Sequence, residues 1–229
     1  MIAPSPRLRG EGWGEGHGSA NPSTWVGWQL SFEALDGQLK RSSDRLKTVV
    51  RLEEHETGKV ATLVAAEVRF LDPASRAQVL DASPVPLRDR LDELRAFQAW
   101  NDLAAGVARD PAVTRAQVIV QNYICFVYLG EACFRALRSV SKPGSVTRRC
   151  SKYLTDNPIR AFRNSIAHSN WTYAPDFSAL VYWAKKGADD NEPMSEFSVS
   201  QAELNFWQML SRGVAYAAYT TLESVEPTP

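Results

Sequence analysis

The sequence predicts an all-α protein, a bundle of about five or six helices with one small β-hairpin before the last helix. Three observations predict it. Apolar residues recur at three- and four-residue spacing from Trp25 to Leu222, runs of Gly, Pro, Asp and Asn divide that pattern into segments of helical length, and alternation with period two is confined to one region near residues 171–199. With 229 residues, 44% of them hydrophobic and 23% charged, the chain is large enough to bury a core. We expect one domain over residues 24–224, a disordered leader over 1–23 and a short disordered tail over 225–229. The leader is dense in Gly and Pro and has no apolar period.

The first helix is expected to be long, with Trp25, Trp28, Phe32, Leu35, Leu39, Leu46, Val49 and Val50 on one broad stripe, and to end at His55-Glu-Thr-Gly58. Val60–Phe70 has helical spacing, but its valines and threonine leave a strand open. Asp72-Pro73 and Ser83-Pro84-Val85-Pro86 break the chain into short helix and loop. Leu91, Leu94 and Phe97 set out an amphipathic helix over 87–109, closed by Asp110-Pro111. Residues 113–140, apolar nearly all round their middle, are expected to form the most buried helix, ending at Lys142-Pro143-Gly144. A short helix then starts at Pro158, with Asp156 or Asn157 as its cap. Trp171–Trp183 and Phe197–Val199, separated by a turn-forming run, give the hairpin. Ser200 with Glu203 makes a capping box for the last helix.

Composition narrows the function. Lys plus Arg equals Asp plus Glu at 26 each, so no global field draws the protein to nucleic acid or to an anionic membrane. No apolar run reaches the ~20 residues of a membrane span, so the expectation is a soluble, cytoplasmic protein with no membrane partner. Cys125, Cys133 and Cys150 form no CxxC pair and are expected to be buried thiols. His55 stands among Glu53, Glu54 and Glu56 but has no second histidine at ligand spacing, so neither a metal nor a cofactor is expected. Trp171, Trp183 and Trp207 are assigned to the core rather than to base stacking.

The chemistry concentrates in Ile159-Arg-Ala-Phe-Arg-Asn-Ser-Ile-Ala-His168. Ile159, Phe162 and Ile166 share an apolar face, and Arg163, Asn164 and His168 stand among polar neighbours. Arginine offers a planar fork to a phosphate, and histidine exchanges protons near neutrality. Those groups suit attack by a ribose 2′-hydroxyl on its own phosphate, with His168 as general acid/base, Arg163 as phosphate stabiliser and Asn164 as orienting residue. Five helical steps of ~100° place Arg163 and His168 about 140° apart, so one helix makes half a site. Two copies meeting across a two-fold axis would complete it, which predicts a homodimer. Between Arg135 and Arg163, eight basic residues face Asp156 alone, a net +7. Arg148, Arg149, Lys152 and Arg160 are the expected RNA contacts within that segment.

Arg163, Asn164 and His168 resemble the signature of the HEPN superfamily, an arginine often followed by Asn, Asp or His and then a histidine after four to six residues. The resemblance implies a helical domain that dimerises around a shared cleft. It also implies a metal-independent endoribonuclease serving as a toxin or a defence factor, with an antitoxin protein as a further partner; other members only bind nucleotide or RNA, or dimerise. Members silenced by an adenylylating antitoxin carry tyrosine two residues after the histidine, where this chain has Asn170.

Overall fold

The computed structural model describes residues 31–107, 111–176, 178–185 and 192–224; the expected leader and tail, and Trp25 and Trp28, lie outside these. The described chain is mostly helical and carries a small antiparallel sheet. The helices are α1 (Phe32–Lys40), α2 (Ser43–Arg45), α3 (Val60–Arg69), α4 (Pro73–Leu80), α5 (Leu87–Val107), α6 (Pro111–Asn122), α7 (Glu131–Val140), α8 (Val146–Thr155), α9 (Ile159–Ala167) and α10 (Gln201–Glu223). Two π-helical turns, Leu46–Val50 and Tyr123–Tyr128, extend α2 and α6.

Helix α10 is the axis of the molecule, packing against α1, α3, α5 and α8. Its Leu204, Leu210, Val214, Ala217 and Ala218 are fully buried. A methyl group at Gly213 would lie 3.0 Å from Leu39 Cδ1, so the missing side chain lets α10 close on α1. Phe162 of α9 sits at the centre of an aromatic cluster, with Phe126 at 5.3 Å, Tyr182 at 5.2 Å and Trp207 at 5.6 Å between ring centroids. These edge-on contacts hold the motif helix against both the bundle and the sheet.

Two carboxylates, the buried Asp36 and the half-buried Glu67, cap helices far away in sequence. Asp36 of α1 accepts from Ala61 N at 2.6 Å and Thr62 Oγ1 at 2.6 Å, at the start of α3. Glu67 of α3 accepts from Val146 N at 2.9 Å, Thr147 N at 2.7 Å and Thr147 Oγ1 at 2.6 Å, at the start of α8. Each satisfies backbone donors that a helix start leaves free and sets a negative charge at the positive end of the dipole.

Several expectations are corrected. The expected long first helix breaks after Lys40 and ends at Val50, because Arg51 turns left-handed (φ 64°). Val60–Arg69 forms the helix its spacing suggested, and the strand left open there does not form. The expected single helix over 113–140 is two, because Gly130 adopts φ 76° between the π turn and α7. Nor is that stretch the most buried: Ile119, Val120 and Tyr123 are exposed, and α10 holds the core. Helix α8, capped by Ser145, was not anticipated from the sequence. The expected cap of α9 also fails, since Asp156 turns its carboxylate to Arg138 and Lys152 and no side chain caps that helix.

The hairpin becomes a three-stranded sheet in the order β1 (Trp171–Tyr173), β2 (Ala179–Ala184), β3 (Ser195–Ser200), because a turn at 175–176 splits its first run. Trp171 pairs with Tyr182, and Ala184 with Ser195. Ser200 caps α10 as expected by accepting from Glu203 N at 3.2 Å, but Glu203 completes no box. Its carboxylate takes Trp207 Nε1 at 2.8 Å and Arg45 at 3.2 Å instead. All three cysteines are buried free thiols. Trp207 is core, while Trp171 and Trp183 are half-buried against the sheet.

Candidate functional site

Helix α9 is anchored from below. Ile159 and Phe162 are buried, and the Ser165 hydroxyl donates to Trp183 O at 2.8 Å, tying the helix to β2. Its far end closes with a left-handed residue, Ser169 (φ 58°), after which Asn170 N bonds Ser165 O at 2.8 Å and Ser169 N bonds Ile166 O at 3.3 Å. That pair of bonds is the Schellman arrangement, here with serine where glycine is usual. Trp183 N then bonds Asn170 O at 3.0 Å, so both halves of the motif are fastened to the same strand.

Arg163 points toward the bundle rather than into solvent. Its guanidinium pairs with Glu131, the first residue of α7, whose side chain is only 6% exposed. Arg135 Nη2 lies 2.5 Å from the other Glu131 oxygen, a charge contact without hydrogen-bond alignment. Arg163 Nη2 also donates to Asn164 Oδ1. Burial pulls the Arg163 guanidinium below its ordinary value; Glu131 opposes this, and Arg135 and Arg160 reinforce it. Arginine stays charged across the range in which proteins work. Behind the pair is a small hollow walled by Cys125, Phe134, Leu154 and Ser211, of water size and too small for a nucleotide.

His168 is the C-terminal cap residue of α9 and is exposed, and among the described residues no hydrogen bond engages its imidazole. Asn164 is exposed as well. The three motif residues therefore divide: Arg163 is held by α7, Asn164 bridges to it, and His168 stands open at the far end of the helix.

The basic segment is less free than its sequence implies. Arg149 pairs with Glu56 at 2.5 Å and donates to Arg51 O at 2.6 Å. Arg148 donates to Ser141 O at 3.0 Å. Lys152 and Arg138 share Asp156. Arg160 is exposed with no acidic partner among the described residues. Glu56, Glu67 and Glu131 all come from outside the acidic count read along the segment, and the fold brings them to it.

Sequence reasoning missed Glu131. The signal was present, since it is an isolated carboxylate within the apolar run Ile124–Leu137, and a buried acid needs a cationic partner. No family model, no curated protein and no solved structure matches the chain.

Proposed function

We propose that this chain is a metal-independent endoribonuclease of the HEPN type that acts as a homodimer on RNA in a toxin or defence role. The observation that carries the proposal is the division of labour along α9: a cation oriented by Glu131 and Asn164, and an open histidine on the same helix. In the reaction, a ribose 2′-oxygen bonds to the adjacent phosphorus while the bond from phosphorus to the 5′-oxygen breaks. His168 takes the 2′-hydroxyl proton and returns it to the leaving 5′-oxygen. Arg163 offsets the charge that develops on the phosphoryl oxygens, and Asn164 orients it. Arg160, with Lys152, Arg148 and Arg149 behind it, would meet the backbone phosphates. The products are a 2′,3′-cyclic phosphate and a 5′-hydroxyl end.

The test is cleavage of a labelled RNA in EDTA, with the ends identified. His168→Ala should slow cleavage about 10²- to 10⁴-fold, the scale of a positioned acid/base group. Equal cleavage by wild type and His168→Ala would overturn the proposal. One observation favours a second reading, a non-catalytic RNA- or nucleotide-binding dimer: Glu131 already neutralises Arg163 and Arg135 flanks it, so the motif cation has an internal partner. Saturable RNA binding without cleavage by the dimer would select that reading.

A further inference from the structure

Arg90 of α5 is 8% exposed, yet among the described residues no carboxylate pairs with it. Its Nε donates to Ser83 Oγ at 3.0 Å, its guanidinium carbon lies 5.0 Å from the centre of the Tyr128 ring, and its Nη1 is buried without an acceptor. A buried guanidinium with an unused donor is an expensive group to keep. Its direction is informative: a methyl group at Gly130 would lie 3.7 Å from Nη1 and 3.9 Å from Nη2, with the Tyr128 carbonyl oxygen at 3.8 Å on the same position. Gly130 is the N-terminal cap position of α7.

The start of α7 is thus doubly positive. Helices α1, α4, α8 and α10 have a Ser or Asp side chain bonded to a backbone N–H of the first turn, and α3 has Asp36. At α7 no side chain caps those donors. The acid of its first turn, Glu131, is turned away to Arg163 and Arg135. The positive pole of a ten-residue helix and an unpaired guanidinium converge on one glycine, whose missing side chain leaves room between them.

We propose that Gly130, the first backbone N–H groups of α7 and Arg90 form a binding site for a phosphate group. A tetrahedral oxyanion fits because it can accept from the helix N–H groups and from the planar guanidinium at once. Ser83 fixes Nε, and the Tyr128 ring supports the guanidinium face, so the cation is pre-oriented. The acid at the site itself, Glu131, is turned to Arg163 and Arg135, and the exposed Asp89 and Glu93 act on the Tyr128 hydroxyl, where salt screens them. This site meets the α9 contact at Glu131 but uses that residue's backbone N–H rather than its carboxylate, and it stands whether or not the chain cuts RNA.

The test uses the full-length wild-type chain in amide-resolved NMR, titrated with sodium phosphate at constant ionic strength set by sodium chloride. Saturable shifts should centre on the amides of Gly130, Glu131 and Ala132 and on the Arg90 Nε–H signal. A linear, non-saturating response, or shifts centred elsewhere, overturns the site. Arg90→Met should weaken phosphate about tenfold or more, the scale of losing one charge-assisted hydrogen bond. If Arg90→Met does not fold, Ser83→Ala and Arg90→Lys decide: weaker binding supports the site, and unchanged affinity in both overturns it. Parallel titrations with a nucleoside 5′-monophosphate and a short RNA separate the sources. Tighter binding of either than of inorganic phosphate assigns the site to a nucleotide or backbone phosphate, and equal binding assigns it to the free ion.

Discussion

Glu131 is where the fold bears most directly on the motif. Its carboxylate is nearly buried and faces two guanidinia, so removing its charge leaves Arg163 half-buried and unbalanced. Glu131→Gln should lower stability by about 2–4 kcal/mol, as expected when one member of a buried pair is lost. The double variant Glu131→Gln/Arg163→Met should cost less than the sum of the two single changes. Chemical denaturation of all four proteins gives the coupling, and additive costs would show that the pair contributes no interaction. A second residue-scale test concerns Ser169, the non-glycine residue in left-handed conformation that closes α9. Ser169→Gly relieves that conformation and should raise stability by about 1 kcal/mol, seen as a higher Tm. Arg163, Asn164 and His168 were legible in the sequence as a unit, whereas Glu131 was not. Its partner lies 32 positions away, and no spacing rule within one helix connects them.

Asp156 joins elements rather than residues, since it receives Arg138 from α7 and Lys152 from α8 at the entry to α9. Burial acts to raise its carboxyl, but the hydrogen bonds from Lys152 and Arg138 outweigh this and hold it below the ordinary value. A depressed carboxyl contributes stability above its unfolded value of about 3.9 and loses it as pH falls through the folded one. Asp156→Asn should therefore lower Tm at pH 6–7, with the gap to wild type closing below about pH 4. A gap that stays constant from pH 7 to pH 3 would mean the carboxylate charge is not what joins the helices. At this scale the sequence was read well where periodicity ruled and poorly where chain breaks did. The helical stripe of Val60–Val68 and the cap at Ser200 were legible because they depend on neighbours in sequence. The break at Gly130 was hidden because apolar residues continue through it. The cap of α9 was misassigned because two cations from other helices compete for Asp156.

For the whole molecule, the separation of Arg163 from His168 makes the dimer the quantity to test. If each cleft combines Arg163 of one copy with His168 of the other, mixing inactive Arg163→Ala and His168→Ala chains should restore cleavage. Random exchange between two-fold dimers gives one intact cleft in half of them, about a quarter of wild-type activity. Absence of restoration in mixtures shown to exchange subunits would confine the site to one chain. The all-α class with a β insertion was legible from period alone. The net positive segment was overread, because the fold sets Glu56, Glu67 and Glu131 against it from elements distant in sequence. The fastening of α9 to β2 has one more consequence. Between His168 and Trp171 lie two residues, and Trp183 N bonds the second of them. One inserted residue there would turn every β1 side chain to the opposite face of the sheet and detach that bond. In any lineage of chains sharing this fold, insertions and deletions must therefore fall elsewhere, and the distance in sequence from His168 to the first strand should be invariant.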